Sequence, residues 1–337
     1  MKNVNGVILC GDNRADLVFH SDFKSPSLIS IKNDYSVLDK QIFQFKCAKI
    51  EKVIVIAKTE SYEEIKDYSK KYEDIEIEVY QENKGQGSVG ALNYAMDILD
   101  CDVVMRNCDV VSDINLQRFI ESSKMNDYPV NIYVTKLPSP YGIVKLRSDY
   151  VMGFEEKPIL DKLINAGIYY FKKGIAFPEV YMSGKIESTI FPEMAKKRMM
   201  GYYEEDVFWR SLKTSNDLSI VQKEYSNKID KAWGYEKLLV HTDKYMTKEL
   251  FLREGFNTSY HQHEEKDETM YVNSGRGYIS FDGRVEYFSK NDKIHIEPKT
   301  PHSIVALENT ILYEFSTPHI DDTTRLKDYY PRDTEGM

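Results

Sequence analysis

Short apolar runs alternate with amphipathic stretches through the first two-thirds of the chain. Val7-Ile8-Leu9-Cys10 and Lys52-Val53-Ile54-Val55-Ile56-Ala57 are nearly continuous apolar runs of strand length, the pattern of strands buried on both faces. Ile75 to Tyr80 alternates, and Asp102-Val103-Val104-Met105 predicts a further strand. Between them, Tyr62 to Tyr72 and Ala91 to Leu99 carry apolar residues at helical spacing, and a helix is expected from about Ile114 with Asp113 as its cap. This alternation predicts an α/β domain with a mostly parallel, Rossmann-like sheet, whose ligands belong at the carboxyl ends of its strands. Beyond Trp233-Gly234-Tyr235 the pattern changes to short alternating runs and turns, as in Gly277-Tyr278-Ile279-Ser280-Phe281-Asp282-Gly283, which predicts an all-β sandwich or barrel. The polar stretch Glu224-Tyr225-Ser226-Asn227-Lys228 follows the last helix-like segment, so the expected division is 1–225, a linker at 226–230, and 231–337.

Composition changes this picture little but removes several functions. A chain of 337 residues, 42% hydrophobic and 29% charged, has core enough for two ordinary domains. The net charge of −9, with no basic run, argues against nucleic acid as a partner. No apolar run is long enough for a membrane helix, and the one near the N-terminus is too short for a signal peptide. Cys10, Cys47, Cys101 and Cys108 lack paired zinc-type spacing and read as reduced thiols of a cytoplasmic protein. Nothing in the chain excludes a homo-oligomer.

The densest chemistry lies in the second region. His261 and His263 are two apart and share a face if they lie on a strand. The charged run Glu264-Glu265-Lys266-Asp267 offers a turn that would bring Glu268 round, and Lys293 to Pro298 leads into Thr300-Pro301-His302. Three imidazoles and a carboxylate suit a divalent ion such as Zn, Mn, Fe, Ni or Co. His295 and Glu297 are candidate bases, Tyr271 and Tyr278 candidate wall residues, and Lys248 and Arg253 candidate phosphate contacts. In the first region Asp109 follows a strand directly, where a carboxylate either holds magnesium on a nucleotide phosphate or caps a loop. Gly85-Gln86-Gly87-Ser88-Val89-Gly90 is a turn whose small residues admit a base or phosphate to the backbone.

Taken in order, Gly87-Ser88-Val89-Gly90-Ala91-Leu92, Asp109, Tyr141-Gly142-Ile143-Val144, Gly153-Phe154-Glu155-Glu156-Lys157-Pro158, Asn165-Ala166-Gly167-Ile168-Tyr169, Phe191-Pro192-Glu193 and Phe208-Trp209-Arg210 resemble the sugar-1-phosphate nucleotidyltransferases over residues 1 to 225. The resemblance implies nucleotide contacts from Gly11, Arg14, Lys24, Gly87 and Ser88, and magnesium with a nucleoside triphosphate at Asp109. It further implies sugar-phosphate contacts from Gly142, Glu156, Lys157, Asn165, Gly167 and Glu187, with Asp109 and Lys157 catalytic. Three positions depart from the family. Asp16 stands where its triphosphate-gripping arginine is expected, Ser25-Pro26-Ser27 replaces its Pro-Lys-Pro, and Ser211 replaces its second magnesium aspartate. Two readings follow: a divergent transferase acting on a phosphorylated small molecule, or a domain that binds nucleotide or sugar phosphate without chemistry.

The second region resembles the cupin family, with Gly255, His261, His263, Glu268 and Gly275 in its first motif and Asp292, Pro298 and His302 in its second. Ala232-Trp233-Gly234 and the run from Asp321 to Tyr329 are similar to mannose-6-phosphate isomerase-type cupins. The resemblance makes His261, His263, Glu268 and His302 the metal ligands and the fold a jelly roll. It implies a role in activated-sugar and surface polysaccharide synthesis. The cupin would then act on a neighbouring step, stand as the only enzyme (isomerase- or epimerase-like), or serve as a ligand-binding module.

Overall fold

The computed structural model describes residues 4–11, 25–82, 87–175 and 183–330. Two compact units result: the first runs to Ser30 and from Tyr35 to Val221, and the second takes Ile31–Asp34 and the chain from Gln222 onward.

The first unit is built on seven strands, β1 (Val4–Cys10), β2 (Lys52–Ala57), β3 (Glu76–Gln81), β4 (Asp102–Asn107), β5 (Val130–Pro138), β6 (Ile159–Phe171) and β7 (Met200–Glu204), in the order β7-β5-β6-β4-β1-β2-β3. β1 pairs in parallel with β2 and β4, β2 with β3, and β5 with β7. β6 alone runs antiparallel to its neighbours β4 and β5. The near-continuous apolar runs are explained by cover on both faces. Val7, Leu9, Ile54, Ile56, Val103 and Met105 pack with α3 (Gly87–Ile98) and α5 (Ile190–Lys196), whereas Ile8, Val53, Val55 and Val104 pack with α1 (Val37–Cys47), α2 (Tyr62–Ser69) and α4 (Leu116–Met125). Burial of each such side chain is worth about 1.5–3 kcal/mol.

One expectation is corrected. α4 is capped by Asn115, whose Oδ1 accepts from Arg118 N at 3.1 Å, and not by Asp113. Asp113 accepts instead from Lys40 Nζ at 2.8 Å in a buried ion pair, because an ammonium enclosed by α1 and the sheet needs a counter-charge.

α6 (Ser215–Tyr225) closes the helical part of the chain, and of the residues expected as a linker only Ser226 and Asn227 lie between it and the next strand. Eleven strands follow: β8 (Lys228–Lys231), β9 (Gly234–His241), β10 (Met246–Leu252), β11 (Tyr260–Gln262), β12 (Glu268–Ser274), β13 (Arg276–Phe281), β14 (Arg284–Ser289), β15 (Lys293–Ile296), β16 (His302–Ala306), β17 (Thr310–Ser316) and β18 (Thr324–Lys327). They form a six-stranded sheet, β8-β9-β10-β17-β12-β15, and a five-stranded sheet, β14-β13-β16-β11-β18, with every pairing antiparallel. Leu250, Leu252, Met270, Val272, Ile279, Ile304 and Leu312 from both sheets share one core, the alternation of period two made physical. Gly275 turns β12 into β13 at φ +84°, where a Cβ would stand 2.4 Å from Thr310 Oγ1.

Candidate functional site

β11 and β16 are neighbours in the five-stranded sheet, with His261 directly opposite His302. His263 follows β11 on the same face as His261, and Glu268 opens β12 in the facing sheet. Ring nitrogens of the three histidines lie within 4.8 Å of one another. Glu268 Oε1 stands 3.1 Å from His302 Nε2 and 3.7 Å from His263 Nε2.

The outer hydrogen bonds fix the chemistry of this cluster. Each imidazole Nδ1 meets a backbone carbonyl: Ser259 O at 2.9 Å from His261, Asp322 O at 2.6 Å from His263, and Thr300 O at 2.9 Å from His302. A carbonyl only accepts, so the proton sits on Nδ1 and the Nε2 lone pairs point inward. Burial pushes the His261 pKa down to about 3, aided by His302, and lowers that of His263, so both are neutral near pH 7. Burial disfavours the charge on Glu268, and the Lys266 ammonium 3.6 Å from its Oε2 favours it, holding the acid below the usual carboxylate range. Glu268 Oε1 and His302 Nε2 are both buried without a hydrogen-bond partner, although they lie 3.1 Å apart. Lone pairs facing one another across a buried gap fit a divalent cation, and three imidazoles with a carboxylate are a donor set that could hold one.

Asp322 organises the loop between these ligands. Its Oδ1 accepts from Glu264 N at 3.0 Å and its Oδ2 from Glu265 N and Lys266 N at 2.7 Å, while its carbonyl accepts a hydrogen bond from His263 Nδ1. Those bonds close the turn that lets two histidines of one sheet and a carboxylate of the other converge. The cavity beside them, about 530 Å³, is lined by His261, His263, Glu268 and His302 together with Lys248, Lys266 and Glu314. His295 and Glu297 do not line it. His295 is exposed and lies 3.0 Å from Asp267, and Glu297 is exposed. Tyr271, Tyr278 and Arg253 are likewise not among the cavity residues: Tyr271 donates to Asn291 and Tyr278 rests against Tyr287.

Of the predicted residues in the first unit, Gly11, Gly87, Ser88 and Asp109 follow the carboxyl ends of parallel strands, whereas Asn165 and Gly167 lie within the antiparallel β6. Gly11 follows β1, and Asp109 follows β4, buried, with its Oδ2 accepting from Ser211 Oγ at 2.8 Å. Gly87 and Ser88 open α3. Gly87 has φ +60°, a Cβ there would meet Gly184 O at 2.7 Å, and Ser88 Oγ accepts from Ile186 N at 2.9 Å. A hydrogen-bonded chain joins four of these residues and neighbours: Asn165 Oδ1 accepts from Gly167 N at 3.0 Å, Asn165 Nδ2 donates to Tyr169 Oη at 3.0 Å, and that hydroxyl donates to Glu187 Oε1 at 3.1 Å. Tyr169 closes the run Asn165-Ala166-Gly167-Ile168-Tyr169, and its buried ring and bonded hydroxyl make it core and connector at once. Gly142 abuts Phe154 and Glu156, and Lys157, in a turn at φ +45°, lies 3.8 Å from Glu156 with both side chains exposed. Arg14 and Lys24 lie outside the described residues.

An α/β sheet with a carboxylate and a glycine turn at its strand ends, followed by a β-sandwich in which three histidines and a glutamate converge, defines a two-domain chain of transferase-like fold with a candidate metal site in its second domain. The chain belongs to the nucleotidyl transferase family, whose model matches residues 17–233, and a cupin domain model matches residues 251–313. It is 28% identical over 163 residues to a mannose-1-phosphate guanyltransferase of Aspergillus oryzae, covering 45% of this chain and 44% of that protein. It is 31% identical over 153 residues to a probable mannose-1-phosphate guanylyltransferase of Arabidopsis thaliana, covering 42% of each. The chain thus spans less than half the length of these curated relatives. A solved structure from Bacillus anthracis, assigned as a glucose-1-phosphate thymidylyltransferase, superimposes with a TM-score of 0.55 at 16% identity, over 68% of this chain and 98% of that one, a likeness of fold. Among the described residues no helix is long and apolar enough to cross a membrane.

Proposed function

We propose that the first unit transfers a nucleotidyl group to a sugar 1-phosphate, and that the cupin unit holds a divalent metal and acts on a neighbouring step of activated-sugar synthesis. The names of the relatives favour mannose 1-phosphate and GTP as the first pair to try. The carrying observation is the acceptor side, where Asn165, Gly167, Tyr169 and Glu187 form one hydrogen-bonded chain beside β6. In this reading the chain orients the sugar hydroxyls so that a phosphate oxygen meets the α-phosphorus in line. The new P–O bond forms as the α–β bridging bond breaks and pyrophosphate leaves. Backbone N–H groups around Gly87 and Ser88 receive the nucleotide, and Lys157 approaches the sugar phosphate. Magnesium held at Asp109 would supply charge neutralisation on the triphosphate. The four cupin ligands would hold Zn, Mn, Fe, Ni or Co, which supplies Lewis acidity. Cys10, Cys47, Cys101 and Cys108 form no disulfide, which fits a cytoplasmic setting.

A pyrophosphate-release assay over nucleoside triphosphates and sugar 1-phosphates tests this. Release with at least one pair is expected, falling by about two to three orders of magnitude in Asp109→Ala, while His263→Ala lowers bound cupin metal and leaves transfer unchanged. No release with any pair would refute the transferase reading, and full activity in Asp109→Ala would refute the role given to that carboxylate.

A further inference from the structure

Across the inner face of the six-stranded sheet the cupin cavity carries a row of alternating charges. Lys231 and Lys248 flank Glu236 at 3.6 and 3.3 Å, and Lys266 stands 3.1 Å from Glu314 and 3.6 Å from Glu268. Lys248 on β10 and Glu314 on β17 are direct cross-strand partners, which joins the two halves of the row. All six side chains line the cavity, and the row ends at the glutamate of the metal cluster. Three ammonium groups therefore meet three carboxylates. This is the arrangement adjacent strands tolerate best, and the one that lets charges leave bulk water.

That balance decides what the wall accepts. A phosphate needs cationic groups whose charge is not already matched, and on this row each ammonium has a carboxylate against it, while Arg325, the fourth lining cation, lies opposite His261 on β18 of the facing sheet; Lys248, expected from the sequence to meet a phosphate, lies between Glu236 and Glu314. A phosphate dianion placed on this row would face the carboxylates as closely as the lysines. A hydroxyl group both donates and accepts, so successive hydroxyls on one ring are satisfied by ammonium and carboxylate in turn, with no charge added. A cavity of about 530 Å³ is in the usual range for a small-molecule site.

We propose that the cupin cavity binds an uncharged polyhydroxylated ligand, a sugar ring bearing no phosphate where it meets the Lys231–Glu236–Lys248–Glu314–Lys266–Glu268 row. This deepens the reading of the cupin as a metal-holding unit and rests on it only for the end of the ligand nearest the histidines.

Isothermal titration calorimetry on the full chain tests it, using D-glucose, D-mannose, D-galactose and D-fructose, their 6-phosphates, and inorganic phosphate, with bound metal measured on the same samples. At least one free hexose is expected to bind, with its 6-phosphate binding no more than threefold more tightly and inorganic phosphate failing to compete. Lys248→Met and Glu314→Gln are each expected to weaken sugar binding tenfold or more while bound metal stays at the wild-type level. Tenfold or tighter binding of a 6-phosphate than of its parent, the absence of binding by every hexose, or an unchanged affinity in Lys248→Met would each overturn the proposal. The comparison of free with phosphorylated sugar needs no variant, so misfolding of a variant leaves the decision intact. A wild-type protein that takes up no metal yet binds free hexose would refute the metal reading and keep this one.

Discussion

Asp322→Ala removes the side chain that closes the metal loop. In the native protein three backbone N–H groups, those of Glu264, Glu265 and Lys266, donate to this one carboxylate at 2.7–3.0 Å. Charge-assisted bonds of this kind contribute about 1.5–3 kcal/mol each when buried, but the first two here are exposed and water replaces much of their loss. The Lys266 bond is part-buried, and the Asp322 carbonyl that orients His263 stays in the chain while its anchor is gone. Outer-shell losses at metal sites typically cost 10- to 100-fold in affinity, equivalent to about 1.4–2.8 kcal/mol, and the geometry places Asp322→Ala in that interval. Asp322→Asn keeps one accepting oxygen and should fall between the variant and wild type. The assay is competition with a chromophoric chelator for zinc or cobalt, together with the visible spectrum of the cobalt form, which reports ligand geometry. An Asp322→Ala protein that binds metal within twofold of wild type, with an unchanged cobalt spectrum, would refute the claim that this loop positions His263 and Glu268.

Two further outcomes follow from the same sites. In chelator, the His261 pKa of about 3 and the lowered value of His263 mean that the folded state refuses protons the unfolded chain accepts below about pH 6.5, so thermal stability should fall on acidification from pH 7 to 5, and His261→Asn should flatten that slope in a melting series. At the other site Ser211 Oγ lies 2.8 Å from Asp109 Oδ2, so Ser211→Asp sets two carboxylates side by side; its melting temperature should drop in EDTA and recover in magnesium, and a drop that magnesium does not reverse would argue against a cation at Asp109.

Much of the architecture is legible from local pattern alone. β2 coincides with the apolar run Lys52–Ala57, and β1 and β4 extend the predicted strands Val7-Ile8-Leu9-Cys10 and Asp102-Val103-Val104-Met105 by a few residues. Two-sided burial leaves an unbroken hydrophobic signature there, which needs no knowledge of the partner. The cap of α4 was misplaced because Asp113 and Asn115 are both competent caps, and the choice is made by Lys40, 73 residues away, which claims Asp113. A one-dimensional pattern carries no such term.

The candidate metal ligands and the loop that holds them differ in the same way. His261, His263, Glu268 and His302 stand out because imidazoles and a carboxylate at strand and turn spacing are rare without a common purpose. Asp322, nearly 60 residues from the turn it closes, sits in an ordinary polar run and gains its role only when β18 pairs beside β11. The charged row of the cavity was hidden for a related reason. Lys231, Glu236, Lys248, Glu314, Lys266 and Glu268 come from five strands or their edges, and each reads alone as one charged residue on an alternating strand. Their order across the sheet, β8-β9-β10-β17-β12, is not their order along the chain, so the alternation of charge exists only in the folded sheet. Candidate binding residues are thus visible in sequence, whereas the charge balance of the cavity depends on strand order, and the ligand proposed for this cupin rests on the second.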